Sequence, residues 1–209
     1  MWFTWSTTAF AAALFIPLFI TRGFAWLDFW WWMSANIAIL LTGVAVFDGS
    51  WREEVIGDFQ NRLFQKICFG LFSAILLYGV FYAGNIASRH LFPFAGSGIN
   101  DVYKFKTNVA PIRIALLMTF LIGPGEELFW RGFLQRRLQA DYGPWYGFLI
   151  SAAIYSLVHL GSGNPMLVLA AGVCGLFWGF LYLRYRSLLM NMVSHTLWDV
   201  AIFLLFPVG

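Results

Sequence analysis

The segment Gly125–Gly132 reads GEELFWRG and places two adjacent carboxylates and one arginine inside an apolar stretch of the chain. Charged side chains at membrane depth are costly, so they persist mainly where they pair, line a cavity or take part in chemistry. On a helix, Glu127 and Arg131 stand four residues apart and share a face. Glu126 points about 100° away from Glu127. We therefore expect Arg131 to neutralise Glu127 and to leave Glu126 available as a base.

The composition of the whole chain is that of an integral membrane protein. Its 209 residues are 60% hydrophobic and only 11% charged, whereas soluble domains carry about 25% charged residues. In so short a chain this composition predicts one integral membrane domain, residues 1–209. The net charge of +3 comes from scattered residues. No basic run is dense enough to follow a phosphate backbone, so nucleic-acid binding is not expected.

Hydrophobic segments predict an all-α, polytopic transmembrane helical bundle of about seven spans. The candidate spans are residues 3–20, 29–47, 65–87, 109–139, 144–160, 165–183 and 187–206. In the fourth span, Gly123-Pro124-Gly125 is expected either to kink one long helix or to break it. If the helix breaks there, both glutamates fall in a first turn, where the positive helix terminus stabilises a carboxylate.

Two connecting segments have their own predicted structure. Apolar residues recur every four positions across 51–63, which predicts an interfacial amphipathic helix after the second span. This helix contains a second pair of glutamates, Glu53 and Glu54, but position 58 is an aspartate where an arginine partner would be needed. We interpret that pair as solvated surface charge. Residues 88–108 are predicted to be an irregular interfacial loop, with a flexible lid as the alternative.

A stripe of small residues and the placement of basic residues give two further predictions. Ala171, Gly175 and Gly179 are spaced by four, which favours close helix packing within the bundle over a dimer contact. Lysine and arginine concentrate near residues 52–66, 136–137 and 184–186, and these segments fall on one side of the predicted spans. By the positive-inside rule the N-terminus is cytoplasmic and the C-terminus is outside. We expect the plasma (inner) membrane.

Histidine residues occur in two of the later spans. His159 ends the fifth span, and His195 lies in the seventh with Asp199 on the same face. Glutamate with histidine can activate water, and the set Glu126, His159 and His195 can hold zinc with an open position for water. A proton or ion pathway would use the same residue types. The signatures His-Glu-x-x-His and Gly-x-Ser-x-Gly are both absent, so these alternatives stay open.

Three motifs in this order resemble those of the CPBP intramembrane proteases: Glu126-Glu127-x-x-x-Arg131, Tyr155-x-x-x-His159 and His195-x-x-x-Asp199. That family includes the type II CAAX prenyl endopeptidases and bacteriocin-processing or immunity proteins. The resemblance covers the C-terminal half, a motif-bearing catalytic core at residues 111–206. The first motif is fairly specific, whereas the other two gain their weight from their order along the chain.

The resemblance implies a role for each matched residue. Glu126 is expected to be the general base that activates water, assisted by His159. Glu127 is expected to pair with Arg131 and hold the helix. The remaining pair, residues 195 and 199, is expected to stabilise the oxyanion.

Two positions depart from the family pattern. The second motif begins with Tyr155 where phenylalanine is usual, which keeps the ring and adds a hydroxyl group near the site. Position 199 is aspartate where the prenyl-processing enzymes have asparagine, although aspartate also occurs in the family. An ionised carboxylate cannot donate a hydrogen bond to an oxyanion. Asp199 is therefore expected either to orient His195 or to donate only when protonated.

The sequence favours an intramembrane endopeptidase that cleaves a membrane-associated protein or peptide, with C-terminal processing as one form of the reaction. The alternatives are a non-catalytic membrane scaffold or bacteriocin-immunity protein, and a small proton or ion transporter. The expected partners are this substrate and the lipid bilayer. No cofactor is expected, and zinc is the alternative. The sequence specifies neither the substrate nor the oligomeric state.

Overall fold

A computed structural model describes residues 1–24 and 26–208 and shows an all-α bundle. Its helices are α1 Trp2–Thr21, α2 Phe29–Phe47, α3 Gly49–Gln60, α4 Leu63–Leu91, α5 Ala95–Tyr103, α6 Pro111–Leu117, α7 Gly123–Glu126, α8 Arg136–Tyr142, α9 Pro144–Leu157, α10 Pro165–Tyr185 and α11 Leu188–Val200. Two short strands between α1 and α2, β1 Gly23–Phe24 and β2 Leu27–Asp28, pair antiparallel.

The described residues contain five helices that are long and apolar enough to cross a membrane: α1, α2, α4, α10 and Leu188–Leu205. A sixth is counted if Ala95–Lys106 and Pro111–Tyr142, which are bent by 92°, form one broken span. The predicted number of about seven spans is therefore not confirmed. The predicted span 144–160 falls short because α9 has only 14 residues before a 3₁₀ turn at Val158–Ser162.

The charged motif lies in one continuous helical segment from Pro111 to Tyr142. Here α6, α7 and α8 alternate with π-helical turns at Met118–Ile122 and Glu127–Gln135. Pro124 lacks a backbone N–H and cannot make a regular helical hydrogen bond. Wider turns of this kind absorb such irregularities and are frequent at functional sites. The alternative of a helix break at Pro124 is wrong, so both glutamates lie within the helix rather than at its positive terminus.

The prediction of an irregular loop at residues 88–108 is wrong. α4 continues to Leu91, α5 covers Ala95–Tyr103, and a 3₁₀ turn follows at Lys104–Lys106. A tertiary contact supports α5, since Asn164 Nδ2 donates to the Gly98 carbonyl at 2.7 Å. A side chain at Gly98 would collide with Met166 on α10. Packing against α10 thus outweighs the low helix propensity of this glycine-containing segment.

The helix predicted at 51–63 is present as α3, Gly49–Gln60. Trp51 is buried, and its indole N–H donates to the Leu128 carbonyl at 3.0 Å. The interpretation of the glutamate pair holds only for the exposed Glu53. Glu54 instead accepts a hydrogen bond from the Tyr182 hydroxyl at 2.6 Å, and two arginines lie near it. α3 is therefore bound to the bundle through this carboxylate.

The small-residue stripe packs inside the bundle, as predicted. A side chain at Gly175 would approach the Ala152 carbonyl at 3.1 Å, and one at Gly179 would approach the Phe148 ring at 2.9 Å. Both neighbours belong to α9. The two glycines therefore set how closely α10 approaches the helix that leads to His159.

An ion cluster at one end of the bundle ties the turn between α2 and α3 to α8. Asp48 is 1% exposed and accepts hydrogen bonds from the Ser50 hydroxyl at 2.7 Å and the Trp51 amide at 3.1 Å. Its Oδ2 atom also lies 2.5 Å from Arg136 and 2.9 Å from Arg137. Burial alone would raise the pKa of Asp48, but these donors and the Arg136 charge together hold it below its usual value.

Replacing Asp48 with asparagine should lower the thermal stability of the detergent-solubilised protein at pH 7. Charge-assisted hydrogen bonds contribute about 1.5–3 kcal/mol, and each kcal/mol shifts the Tm of a domain of this size by about 2–4 °C. Because the folded-state pKa is lowered, this contribution is fully present above the unfolded value of about 3.9 and disappears as the pH falls through the folded value.

The measurement is the Tm of Asp48→Asn and of the parent from pH 7 down to pH 3. The difference between them should narrow below about pH 4. Asp101→Asn, which breaks an exposed ion pair with Lys104, is the matched control and should leave the Tm unchanged. An equal Tm for the parent and Asp48→Asn at pH 7 would rule out this role of the cluster.

Candidate active site

The Glu127–Arg131 pair predicted from the sequence is present and fully enclosed. Arg131 Nη1 lies 2.8 Å from Glu127 Oε1, and the side chains are 2% and 0% exposed. The Arg131 guanidinium also faces the rings of Tyr155 at 4.8 Å and Trp178 at 5.6 Å. Its Nη2 atom donates to the Cys174 carbonyl at 3.4 Å. The arginine thus connects its own helix with α9 and α10.

Glu127 also binds two side chains of α11. His195 Nδ1 lies 2.8 Å from Glu127 Oε1, and Asn191 Nδ2 donates to Glu127 Oε2 at 3.0 Å. Asn191 is fully buried and makes a second hydrogen bond to the Trp178 carbonyl at 2.8 Å. Asn191 is not among the site residues predicted from the sequence. The sequence feature that could have indicated Asn191 is its position four residues before His195, which puts both side chains on one helical face.

His195 is held in a fixed orientation between its neighbours. The Trp178 ring stacks on it with 3.7 Å between centroids and an angle of 22°. Because an ionised carboxylate only accepts hydrogen bonds, Nδ1 carries the hydrogen that Glu127 receives. Nε2 then lies on the opposite side of the ring, 3.4 Å from Asp199 Oδ2 and 3.9 Å from Glu126 Oε2. The structure thus places the His195 ring among three carboxylates, those of Glu126, Glu127 and Asp199.

The two adjacent glutamates have different surroundings. Glu126 is buried in the wall of a cavity, where its Oε2 atom accepts a hydrogen bond from the Tyr155 hydroxyl at 2.8 Å. Glu127 lies within hydrogen-bonding distance of Arg131, Asn191 and His195. This difference leaves Glu126 as the carboxylate that solvent or substrate in the cavity can reach.

His159 lies in the 3₁₀ turn that follows α9. Its Nδ1 atom is 2.8 Å from the Tyr155 carbonyl, and a carbonyl only accepts, so Nδ1 is the donor. Nε2 of the neutral ring is then an acceptor, and no hydrogen bond within residues 1–24 and 26–208 occupies it. The ring packs against Phe19 with 4.5 Å between centroids. Among the described residues, His159 joins the other candidates through Tyr155 and through the shared cavity rather than by an ion pair.

The cavity has a volume of about 330 Å³, within the range of small-molecule sites. Apolar and aromatic side chains from α1, α2, α4, α5, α10 and α11 form most of its wall. The polar groups that reach it include Glu126, Tyr155, His159, His195 and Asp199. An apolar chamber with ionisable groups along one wall is suited to an apolar substrate that reacts at a polar bond.

The described residues do not contain the ligand arrangement that the zinc alternative requires. No group of three or more histidine, cysteine, aspartate or glutamate side chains there is arranged to hold a metal ion. Nδ1 of His159 and Nδ1 of His195 have other partners, so only the Nε2 atoms of these rings could bind a metal. The residues Glu126, His159 and His195 line one cavity but do not converge on one point.

Comparison with known proteins agrees with the motif analysis. Residues 108–201 match the model of the family described as "Type II CAAX prenyl endopeptidase Rce1-like". The match contains every predicted site residue and confirms the resemblance to the CPBP and CAAX proteases. No curated protein and no solved structure matches the chain. The segment that carries the three motifs is therefore similar to this family of CAAX-type intramembrane proteases.

Replacing Arg131 with alanine should destabilise the protein. It would leave the buried Glu127 carboxylate without its cation, and breaking a buried pair costs roughly 3–5 kcal/mol. We expect a lower Tm in detergent and less protein in membranes. Arg52→Ala, at an exposed position on α3, serves as control and should behave like the parent. If Arg131→Ala were as heat-stable as Arg52→Ala, compensation of Glu127 by Arg131 would not be needed.

Proposed function

We propose that the protein is an intramembrane endopeptidase that hydrolyses a peptide bond of a membrane-associated protein or peptide with water activated by Glu126. The observation that supports this most directly is the unequal pair of adjacent glutamates. Glu127 is bound to Arg131, Asn191 and His195, whereas Glu126 faces an apolar cavity with one hydroxyl donor. A buried carboxylate beside a cavity is suited to general-base chemistry.

In this mechanism Glu126 takes a proton from a water molecule as the water oxygen attacks the carbonyl carbon of the scissile bond. The carbonyl π bond opens and its oxygen becomes an oxyanion. When the tetrahedral intermediate collapses, the C–N bond breaks and Glu126 returns the proton to the leaving amine. His159 supports the first step as a second acceptor for the water, through its Nε2 atom.

His195 is the proposed oxyanion donor. Glu127 and Trp178 fix its ring, so that Nε2 points away from Glu127 toward the other two carboxylates. When both ring nitrogens are protonated, Nδ1 donates to Glu127 and Nε2 donates to the developing oxyanion. Asp199 orients Nε2 and balances its charge in this proposal, since an ionised carboxylate cannot donate to an oxyanion itself.

The family match and the cavity bear on the substrate. The matched model describes endopeptidases of CAAX prenyl sequences, so we propose C-terminal processing of a membrane-attached chain as the form of the reaction. The apolar cavity wall is suited to hold the apolar part of such a substrate beside Glu126. No cofactor enters the proposed mechanism.

The structure also bears on orientation in the membrane. The start of α1 lies beside the end of α8, where the Trp5 indole donates to the Tyr142 hydroxyl at 3.2 Å. The other end of the chain lies at α5, where the Val208 amide donates to the Tyr103 hydroxyl at 3.0 Å. Arg136 and its neighbours lie on the α8 side. We propose a cytoplasmic N-terminus on this basis, and we propose the plasma (inner) membrane as expected from the sequence.

Replacing Glu126 with glutamine should abolish hydrolysis and leave the fold intact. The amide keeps the shape of the side chain but removes the base, which typically contributes about 10²–10⁴-fold. The assay is cleavage of a fluorogenic peptide that ends in a farnesylated CAAX sequence, by purified protein in proteoliposomes. Glu53→Gln, at an exposed position on α3, should cleave at the parental rate. Near-parental turnover by Glu126→Gln would show that Glu126 is not the base.

Activity should not depend on a bound metal. The proposed donors to the oxyanion are side chains, and the candidate ligands do not converge. We expect elemental analysis of active, chelator-treated protein to show less than stoichiometric zinc, with cleavage of the same peptide retained. The opposite result, one zinc per chain with activity lost on its removal and restored on its return, would establish Lewis-acid catalysis instead.

A further inference from the structure

Tyr155 stands at the position where the second motif of the resembled family usually has phenylalanine. The added hydroxyl makes a hydrogen bond within the candidate site. It donates to Glu126 Oε2 at 2.8 Å, and both side chains are buried. In the proposed mechanism Glu126 is the base. A hydrogen bond to that carboxylate from a neighbouring helix therefore acts directly on the group that takes the proton.

The Tyr155 ring is fixed on several sides. Trp130 meets it edge-on with 5.3 Å between centroids, and the His159 ring meets it at 5.1 Å. The Arg131 guanidinium lies 4.8 Å from the ring centroid on another side, a cation–π arrangement that adds to packing. On α10, Gly175 leaves room for the ring, since a side chain there would approach Tyr155 at 3.3 Å. The hydroxyl therefore keeps its place and defines where Glu126 Oε2 lies.

This contact makes the two oxygens of Glu126 different. The terminal torsion of a glutamate is broad, so an unrestrained carboxylate does not keep its oxygens in one fixed direction. Oε2 is bound by Tyr155 and faces His195 at 3.9 Å. The described residues give Oε1 no hydrogen bond, and Glu126 borders the cavity. Oε1 is thus the oxygen left to receive a proton from water.

We propose that Tyr155 is a positioning residue, whose hydroxyl holds Glu126 Oε2 so that Oε1 faces the water and the scissile bond. This inference rests on the proposed function and deepens it. The charged and titratable groups around Glu126 come from its own helix, from α9 and the 3₁₀ turn after it, from α10 and from α11. They are Glu127, Arg131, Tyr155, His159, Cys174, His195 and Asp199. Tyr155 is the one whose hydrogen bond reaches Glu126 at 2.8 Å.

The chain contains a matched control for this contact. Tyr182 also donates to a glutamate, Glu54, at 2.6 Å, but this pair belongs to the ion cluster near Arg136 and Arg186. Tyr155→Phe and Tyr182→Phe therefore remove the same kind of hydrogen bond at two places. A general effect of losing packing or a buried hydrogen bond should appear in both variants. Only Tyr155→Phe removes the hydrogen bond from the proposed base, so an effect on positioning should appear in that variant alone.

The experiment compares kcat and KM of these two variants with the farnesylated CAAX peptide. Tyr155→Phe should lower kcat by about tenfold with KM unchanged, as expected for an interaction that serves the chemical step. Tyr182→Phe should keep the parental kcat.

Infrared difference spectroscopy tests the contact without any substrate. The spectrum of Tyr155→Phe minus parent should contain a shifted carboxylate stretch, and this signal should vanish when both proteins carry Glu126→Gln. An unshifted carboxylate band, or a parental kcat for Tyr155→Phe while Glu126→Gln is inactive, would overturn the positioning role alone. An active Glu126→Gln would instead overturn the proposed function, so the two failures are distinguishable.

Discussion

A carboxylate that is completely removed from solvent has to be compensated, and the core of this protein is arranged around that requirement at Glu127. Its partners come from two helices: Arg131 from its own, Asn191 and His195 from α11. Each contact also fixes the partner. Arg131 is directed between two aromatic rings, and His195 is held against Trp178. A group that is expensive to bury thereby sets the relative position of the helices that carry the site.

The contrast with Glu126 follows from helix geometry. Adjacent residues on a helix point in directions about 100° apart, so one carboxylate faces the polar network while its neighbour faces the cavity. The same backbone that buries Glu127 consequently presents Glu126 to a substrate. The π-helical turns on either side of Pro124 keep the segment continuous, which holds both side chains inside the bundle rather than at a helix end.

A second ion cluster stabilises the bundle away from the cavity. Asp48 and Glu54 lie beside arginines of α8 and beside Arg186, which directly follows α10, and Tyr182 adds a hydroxyl donor. This cluster lies where the basic residues concentrate. Further ion pairs among the described residues join Asp58 to Lys66 and Asp28 to Arg113. Buried ionisable groups are costly at membrane depth, so the carboxylates and histidines that line the apolar cavity mark it as the place for chemistry on an apolar substrate.

The sequence by itself determined what depends on local spacing. Composition predicted an all-α membrane bundle, the four-residue period predicted α3, and the positions of Glu127 and Arg131 predicted their pair. Tertiary structure decided the rest. The hydrogen bond from Tyr155 to Glu126, the contact of Asn191 with Glu127 and the helical form of α5 depend on how helices are rotated and how deeply they lie against one another. Periodicity fixes which residues share a face of one helix, but it carries no information about which face of another helix it will meet.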